Sequence, residues 1–205
     1  HRLWIGTYSG LNVLDKRTGE VRKIENAELS STGISQILVT SDQRILFATE
    51  AGLFEYQEND DIFLVYDASN TGGIFPRNTV KSLFEDDRGD IWIGTWNGGL
   101  YRYEKKTGKY WKYPRMNSGN SAHVVFQDSY KNIWVGTWGS GLHLLHNAYD
   151  PERTTWTTFT HNEKQPYTIS DNLIYAISED VNTHSLWVGT RSGLSILPLQ
   201  NGPIS

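Results

Sequence analysis

A five-residue run recurs along this chain, and its period limits the fold more than any other feature. It reads Leu3-Trp4-Ile5-Gly6-Thr7, then Ile45 to Thr49 (with Leu46 and Ala48 in place of Trp and Gly), Ile91 to Thr95, Ile133 to Thr137 and Leu186 to Thr190. The glycine-equivalent positions 6, 48, 94, 136 and 189 are separated by 42, 46, 42 and 53 residues. The clearest copy, from Asp87 to Tyr113, parses into a tight turn, a strand at 91–95, a turn at Trp96-Asn97-Gly98-Gly99, a strand at 100–103, a turn at Thr107-Gly108 and a strand at 110–113. Paired glycines suit the second turn because they take positive φ without Cβ strain. With the run Val80 to Phe84 before it, the unit is an antiparallel meander of four strands. Four strands recurring every 40–50 residues or so is the signature of a propeller blade.

The expected class is therefore all-β: a β-propeller, or an open propeller arc, of four-stranded antiparallel blades. A β-sandwich would alternate apolar and polar side chains because one face of each sheet is wet, whereas Ile91, Trp92 and Ile93 are apolar on both faces. About five blade positions are expected, in one propeller segment covering 1–205, with repeats at approximately 1–24, 32–66, 78–113, 120–159 and 171–199. The first copy lacks an inner strand and the last an outer one. The segment is thus expected to be an open arc whose end blades meet further blades of a longer chain or a second copy of it.

Charge and composition remove several function classes. A net charge of −4 gives no basic footprint for nucleic acid. No apolar run approaches the ~20 residues that span a bilayer, and the start of the sequence shows no signal-peptide pattern. The absence of cysteine excludes disulfides and thiolate-ligated metals. No glycine-rich loop leads into a helix and no GxSxG elbow is present, so neither phosphate cradling nor that kind of nucleophile is expected.

The segments SLFEDDRGDIWIGTWNGGLYRY, VVFQDSYKNIWVGTWGSGLHLL and SDNLIYAISEDVNTHSLWVGTRSGLSIL resemble the two-component regulator propeller repeat. That repeat builds the extracytoplasmic sensor regions of hybrid two-component histidine kinases, in which propellers precede an immunoglobulin-like domain, a membrane helix and the kinase. The resemblance implies a fragment of a sensor: periplasmic, joined to the membrane only through other parts of a parent receptor, non-catalytic itself and without a cofactor.

Chemistry-bearing motifs have plainer readings beside this one. Asp87-Arg88-Gly89-Asp90-Ile91-Trp92 matches the D-x-G-x-x-W core of the sialidase Asp-box. Its repetition at Asp42, Asp128 and Asp180 points instead to a turn residue bonding its own backbone. Glu85, Asp86, Asp87, Asp90, Glu179 and Asp180 are numerous enough to hold a general acid and base, but also read as an acidic rim that keeps sheet edges soluble. His143 and His146 lie on a strand, where their odd separation sends them to opposite faces, so no metal site is expected.

Two function classes remain: a non-catalytic ligand-sensing or interaction module, and a carbohydrate-active propeller enzyme of glycosidase or lyase type. The regularity of the repeat favours the first, with an oligosaccharide or other small molecule as ligand. Sorting the eight tryptophans places its surface. Trp4, Trp92, Trp134 and Trp187 share one strand position and Trp111 and Trp156 lie in outer strands, so these six are expected to pack. Trp96 and Trp138 follow the Gly-Thr of their repeats, at positions equivalent to Tyr8, Glu50 and Arg191, with Asn97 and Ser192 adjacent. These hairpin tips are expected to form an arc on one face. A flat indole beside hydrogen-bonding groups suits a sugar face or a partner side chain; the alternative is that each indole covers the neighbouring blade.

Overall fold

In the computed structural model, which describes residues 2–114 and 121–199, the chain forms five antiparallel sheets. The first holds β1 (Arg2–Thr7), β2 (Gly10–Asp15) and β3 (Val21–Lys23). The second holds β4 (Ile34–Val39), β5 (Ile45–Thr49), β6 (Gly52–Gln57) and β7 (Ile62–Tyr66). The third holds β8 (Val80–Glu85), β9 (Ile91–Thr95), β10 (Gly99–Glu104) and β11 (Lys109–Lys112). The fourth holds β12 (Ala122–Gln127), β13 (Ile133–Thr137), β14 (Leu142–His146) and β15 (Thr155–Phe159). The fifth holds β16 (Ile174–Asp180), β17 (Ser185–Thr190) and β18 (Gly193–Pro198). Every sheet is a meander in chain order, and successive sheets meet through their first strands, β4 on β8 and β8 on β12, then β12 on β16. This is an open propeller arc of three four-stranded blades between two three-stranded ones.

Each residue of the signature run has a physical task. The threonine closes the following turn: Thr7, Thr49, Thr95, Thr137 and Thr190 each donate Oγ1–H to the carbonyl of Gly10, Gly52, Gly99, Gly141 and Gly193, at 2.7–2.9 Å. The glycine makes room for the next blade. A Cβ at Gly6 would stand 2.7 Å from Ile34, one at Gly94 2.7 Å from the carbonyl of Ala122, and one at Gly136 2.5 Å from Ile174. Gly189, in the last blade, has open space on that side.

The cores lie between blades rather than within them. Leu11, Val13, Phe47 and Phe54 fill the first interface, Leu46, Val80, Leu83 and Ile93 the second, Trp92, Leu100, Val125 and Val135 the third, and Trp134, Leu142, Ile177 and Val188 the fourth. Both faces of β9 and β13 are therefore buried. The end blades differ: Leu3, Val21, Leu194 and Ile196 are exposed. One expectation needs correcting here, because Trp187 is 39% exposed, whereas its equivalents Trp92 and Trp134 are fully buried. The signature indole packs on the following blade, and Trp187 has none.

Candidate functional site

The hairpin tips are fixed to the linkers that enter each blade. The amides of Glu50, Trp96, Trp138 and Arg191 donate to the carbonyls of Gly33, Thr79, Ser121 and Leu173, each just before its blade's first strand. Bonds then run from blade to blade. Thr79 Oγ1 donates to the Glu50 carbonyl, the Asn97 amide donates to Ser121 Oγ, and the Gly139 and Gly141 amides donate to the Asn172 carbonyl. The five tips are not equal. Tyr8-Ser9, Glu50-Ala51 and Arg191-Ser192 separate threonine from glycine by two residues, whereas Trp96-Asn97-Gly98 and Trp138-Gly139-Ser140 separate them by three. The longer turns are the ones that carry tryptophan.

Those two indoles meet edge to face with ring centroids 5.5 Å apart, and remain 36% and 41% exposed. Around them stand three residues that sequence reading missed. Lys81 Nζ lies 5.9 Å from the Trp96 ring, His123 packs 5.2 Å from Trp138, and Tyr175 packs 5.8 Å from Trp138 and 6.1 Å from His123. All three come from first strands, at one repeated irregularity. The register of first against second strand breaks between Ile34 and Gln36, Val80 and Ser82, Ala122 and Val124, and Ile174 and Ala176. Ser35, Lys81, His123 and Tyr175 are the extra residues, and such bulges re-aim side chains. Burial and then the charge of Lys81 hold the His123 imidazole below its usual range, against a backbone bond to Ile174.

The other expected site residues each have their own surroundings. Asn97 takes φ 58° and accepts a bond from Ser121 Oγ. The Glu50 carboxyl lies over Gly33, Arg191 is exposed with Asp171 in its field, and Tyr8 is 94% exposed. Ser192 donates to Asp171 Oδ2.

The carboxylates of the first turns are engaged in holding the fold. Here the alignment of repeats shifts by one residue: the equivalent of Asp128 is Asp86, not Asp87. Asp86 Oδ2 accepts the indole N–H of Trp92 and Asp128 Oδ2 that of Trp134, both at 2.8 Å, while their Oδ1 atoms accept the amides of Asp90 and Asn132. Thr40 occupies the same position and accepts the Arg44 amide through Oγ1. Glu85 and Glu179 are not a merely solvated rim, since they accept the amide and hydroxyl of Ser41 and Ser129 in the preceding blades. Gln127 does the same for the Asp87 amide. Asp90 holds Arg102, and Asp180 caps its own turn at Asn182 and Thr183.

His143 and His146 both lie on β14, with separate partners: His143 is fully buried beside Thr158 and Trp156, and His146 bonds Thr157. Burial pushes His143 down to about 4, against a backbone bond to Ser140. The unfolded chain takes up this proton near pH 6.5 or so and the folded chain only near 4, so the stability His143 contributes is complete above the first value and lost as pH falls towards the second. Unfolding midpoints in urea over that range should fall less steeply for His143→Leu than for the native chain.

The family model described as two component regulator propeller matches residues 74–97 and 118–139, stretches that include Trp96 and Trp138. A histidine kinase of Formosa agariphila is 29% identical over 182 residues, which are 86% of this chain and 13% of the kinase. Among solved structures, the extracellular domain of BT4673 from B. thetaiotaomicron, described as a hybrid two component system, superposes with a TM-score of 0.76 and 27% identity, over 95% of this chain and 25% of its own. That of BT3049 from the same organism follows at 0.70 and 22%, over 98% and 25%. A virginiamycin B lyase from Staphylococcus aureus, 15% identical with a TM-score of 0.63, over 96% of this chain and 66% of its own, shares the fold alone. The chain thus spans about an eighth of the kinase and a quarter of the BT4673 domain, and it is an all-β propeller segment, two stretches of which match the two-component regulator propeller model.

Proposed function

We propose that this chain is a non-catalytic, ligand-sensing segment of the periplasmic region of a two-component receptor, and that it meets its ligand on the face carrying Trp96 and Trp138. The observation that carries the reading is the half-exposed indole pair on the two longer turns, flanked by Lys81, His123 and Tyr175. Relatives that are extracellular domains and a histidine kinase support the setting. The carbohydrate-active enzyme reading is weakened, because Glu85, Asp86, Asp90 and Glu179 are committed to an indole, a guanidinium or a neighbouring blade, Asp87 to Gln127 and Lys131, and Asp180 to its own turn. The exposed apolar side chains of the end blades fit further blades of the same receptor as neighbours.

An oligosaccharide is the ligand class that best suits an exposed indole surface. A panel of oligosaccharides tested by melting temperature identifies a binder, because a bound ligand stabilises by mass action. With it, Trp96→Ala and Trp138→Ala are each expected to weaken binding by about 1–2 kcal/mol or more while leaving the melting temperature nearly unchanged. If both variants melt early and keep their affinity, the indoles cover the blades and the ligand surface lies elsewhere.

A further inference from the structure

The bulge positions carry a different polar side chain in each blade, close to positions of the first strand that stay apolar. Ile34, Val80, Ala122 and Ile174 precede the bulge and Ile37, Leu83, Val125 and Ile177 follow it, all apolar. Between them the extra residue is a hydroxyl, an ammonium, an imidazole and a phenol in turn.

Within the aromatic cluster these side chains offer different things. His123 presents its ring, since Nδ1 is buried and without a hydrogen-bond partner among the described residues. Tyr175, 48% exposed, forms the wall beyond Trp138. Lys81 supplies the charge: it is only partly buried, reaches over Trp96, and among the described residues makes no ion pair. An ammonium held beside two exposed indoles that meet edge to face, with no carboxylate of its own, is suited to an anion carried by something flat.

We propose that this cluster binds an acidic sugar of the uronic acid type, its ring against the Trp96–Trp138 pair and its carboxylate paired with Lys81; the proposal rests on the reading of that pair as a ligand surface. A pyranose stacked on an indole keeps its C6 group at the ring edge, where a carboxylate meets the lysine beside the indole. A single lysine is a point charge and matches one negative charge. Sulfate and phosphate esters are less well served, because among the described residues no arginine packs on either indole and no helix N-terminus stands there.

The test uses isothermal titration of the full chain with short oligogalacturonates and oligoglucuronates, with the same oligosaccharides after carboxyl reduction to neutral sugars, and with benzoate. The acidic oligosaccharides are expected to bind about tenfold tighter than their reduced forms, as a charge-assisted bond allows. Lys81→Gln should erase that ratio, Lys81→Arg should keep it, and Trp138→Ala should weaken both forms. Equal binding of acidic and reduced forms, or a ratio that survives Lys81→Gln, overturns the proposal; if Trp138→Ala still weakens binding, the ligand surface stands without it. Benzoate binding as tightly as the uronates overturns the sugar assignment. Failure of every uronate to bind also overturns the proposal, and failure of neutral sugars as well removes the ligand surface with it.

Discussion

Arg102→Ala is expected to lower the stability of the chain by about 3–5 kcal/mol, read as a fall in the denaturant midpoint at unchanged slope. Arg102 lies in the middle of β10, yet its side chain is only 2% exposed. Its Nη1 donates to Asp90 Oδ2 at 2.7 Å, its Nη2 reaches the Tyr149 carbonyl, and its guanidinium carbon lies 5.7 Å from the Trp92 ring and 5.1 Å from that of Tyr149. Asp90 is as deeply buried and accepts, besides Arg102, the Lys105 amide. Removing the arginine leaves that carboxylate in a dry interior with a single amide donor, and the cost is chiefly that of the stranded charge rather than of the lost attraction. Asp90→Ala should therefore be comparably damaging. The double variant Arg102→Met with Asp90→Leu should cost clearly less than the two single changes together, because it leaves no charge behind. Single variants within about 1 kcal/mol of native would mean that water reaches the pair and that the interface is looser than its burial implies.

The fold is legible in the sequence because the signature run is dictated by neighbours rather than by local preference. Gly94 and Gly136 are small because Ala122 and Ile174 of the next blade stand against them, and the threonines recur because each closes a turn with its own hydroxyl. A constraint repeated in every blade leaves a period, and the period could be read. What recurs nowhere could not. Ser35, Lys81, His123 and Tyr175 share a position but no chemistry, and a bulge is a property of pairing between two strands, invisible in either strand alone. The same holds for Glu85, Gln127 and Glu179, whose partners lie in the preceding blade, 40–50 residues away in sequence. The slip between Asp86 and Asp87 has a simpler cause: two aspartates adjoin, and only the distance to Trp92, six residues as from Asp128 to Trp134, tells which one holds the indole. Of the candidate site, the place of the tryptophans after Gly-Thr and the extra turn residue that sets them apart from Tyr8, Glu50 and Arg191 both stand in the sequence, but the meeting of the two indoles across blades does not.

Trp92→Ala and Trp187→Ala, the same change at the same place in two blades, are expected to differ severalfold in cost. Trp92 is fully buried in the interface between the third and fourth blades, 5.1 Å from the Tyr113 ring, and donates to Asp86 Oδ2. Truncation there opens a large cavity and removes a donor from a buried carboxylate that otherwise holds the Tyr149 hydroxyl and the amides of Arg88 and Asp90. Large aromatic-to-alanine changes in cores cost about 3–5 kcal/mol. Trp92→Phe separates the two contributions: it keeps most of the ring and loses the N–H, so it should fall between native and Trp92→Ala, with about 1–3 kcal/mol assignable to the lost bond to a charged acceptor. Trp187 has 39% of its surface in solvent and, among the described residues, no blade beyond it, so its truncation removes partial contacts and leaves no enclosed void. Thermal or chemical unfolding of the three variants decides the matter. If Trp187→Ala proves as costly as Trp92→Ala, the signature tryptophan stabilises its own blade, and the account of the repeat as a blade-to-blade device fails at its central residue.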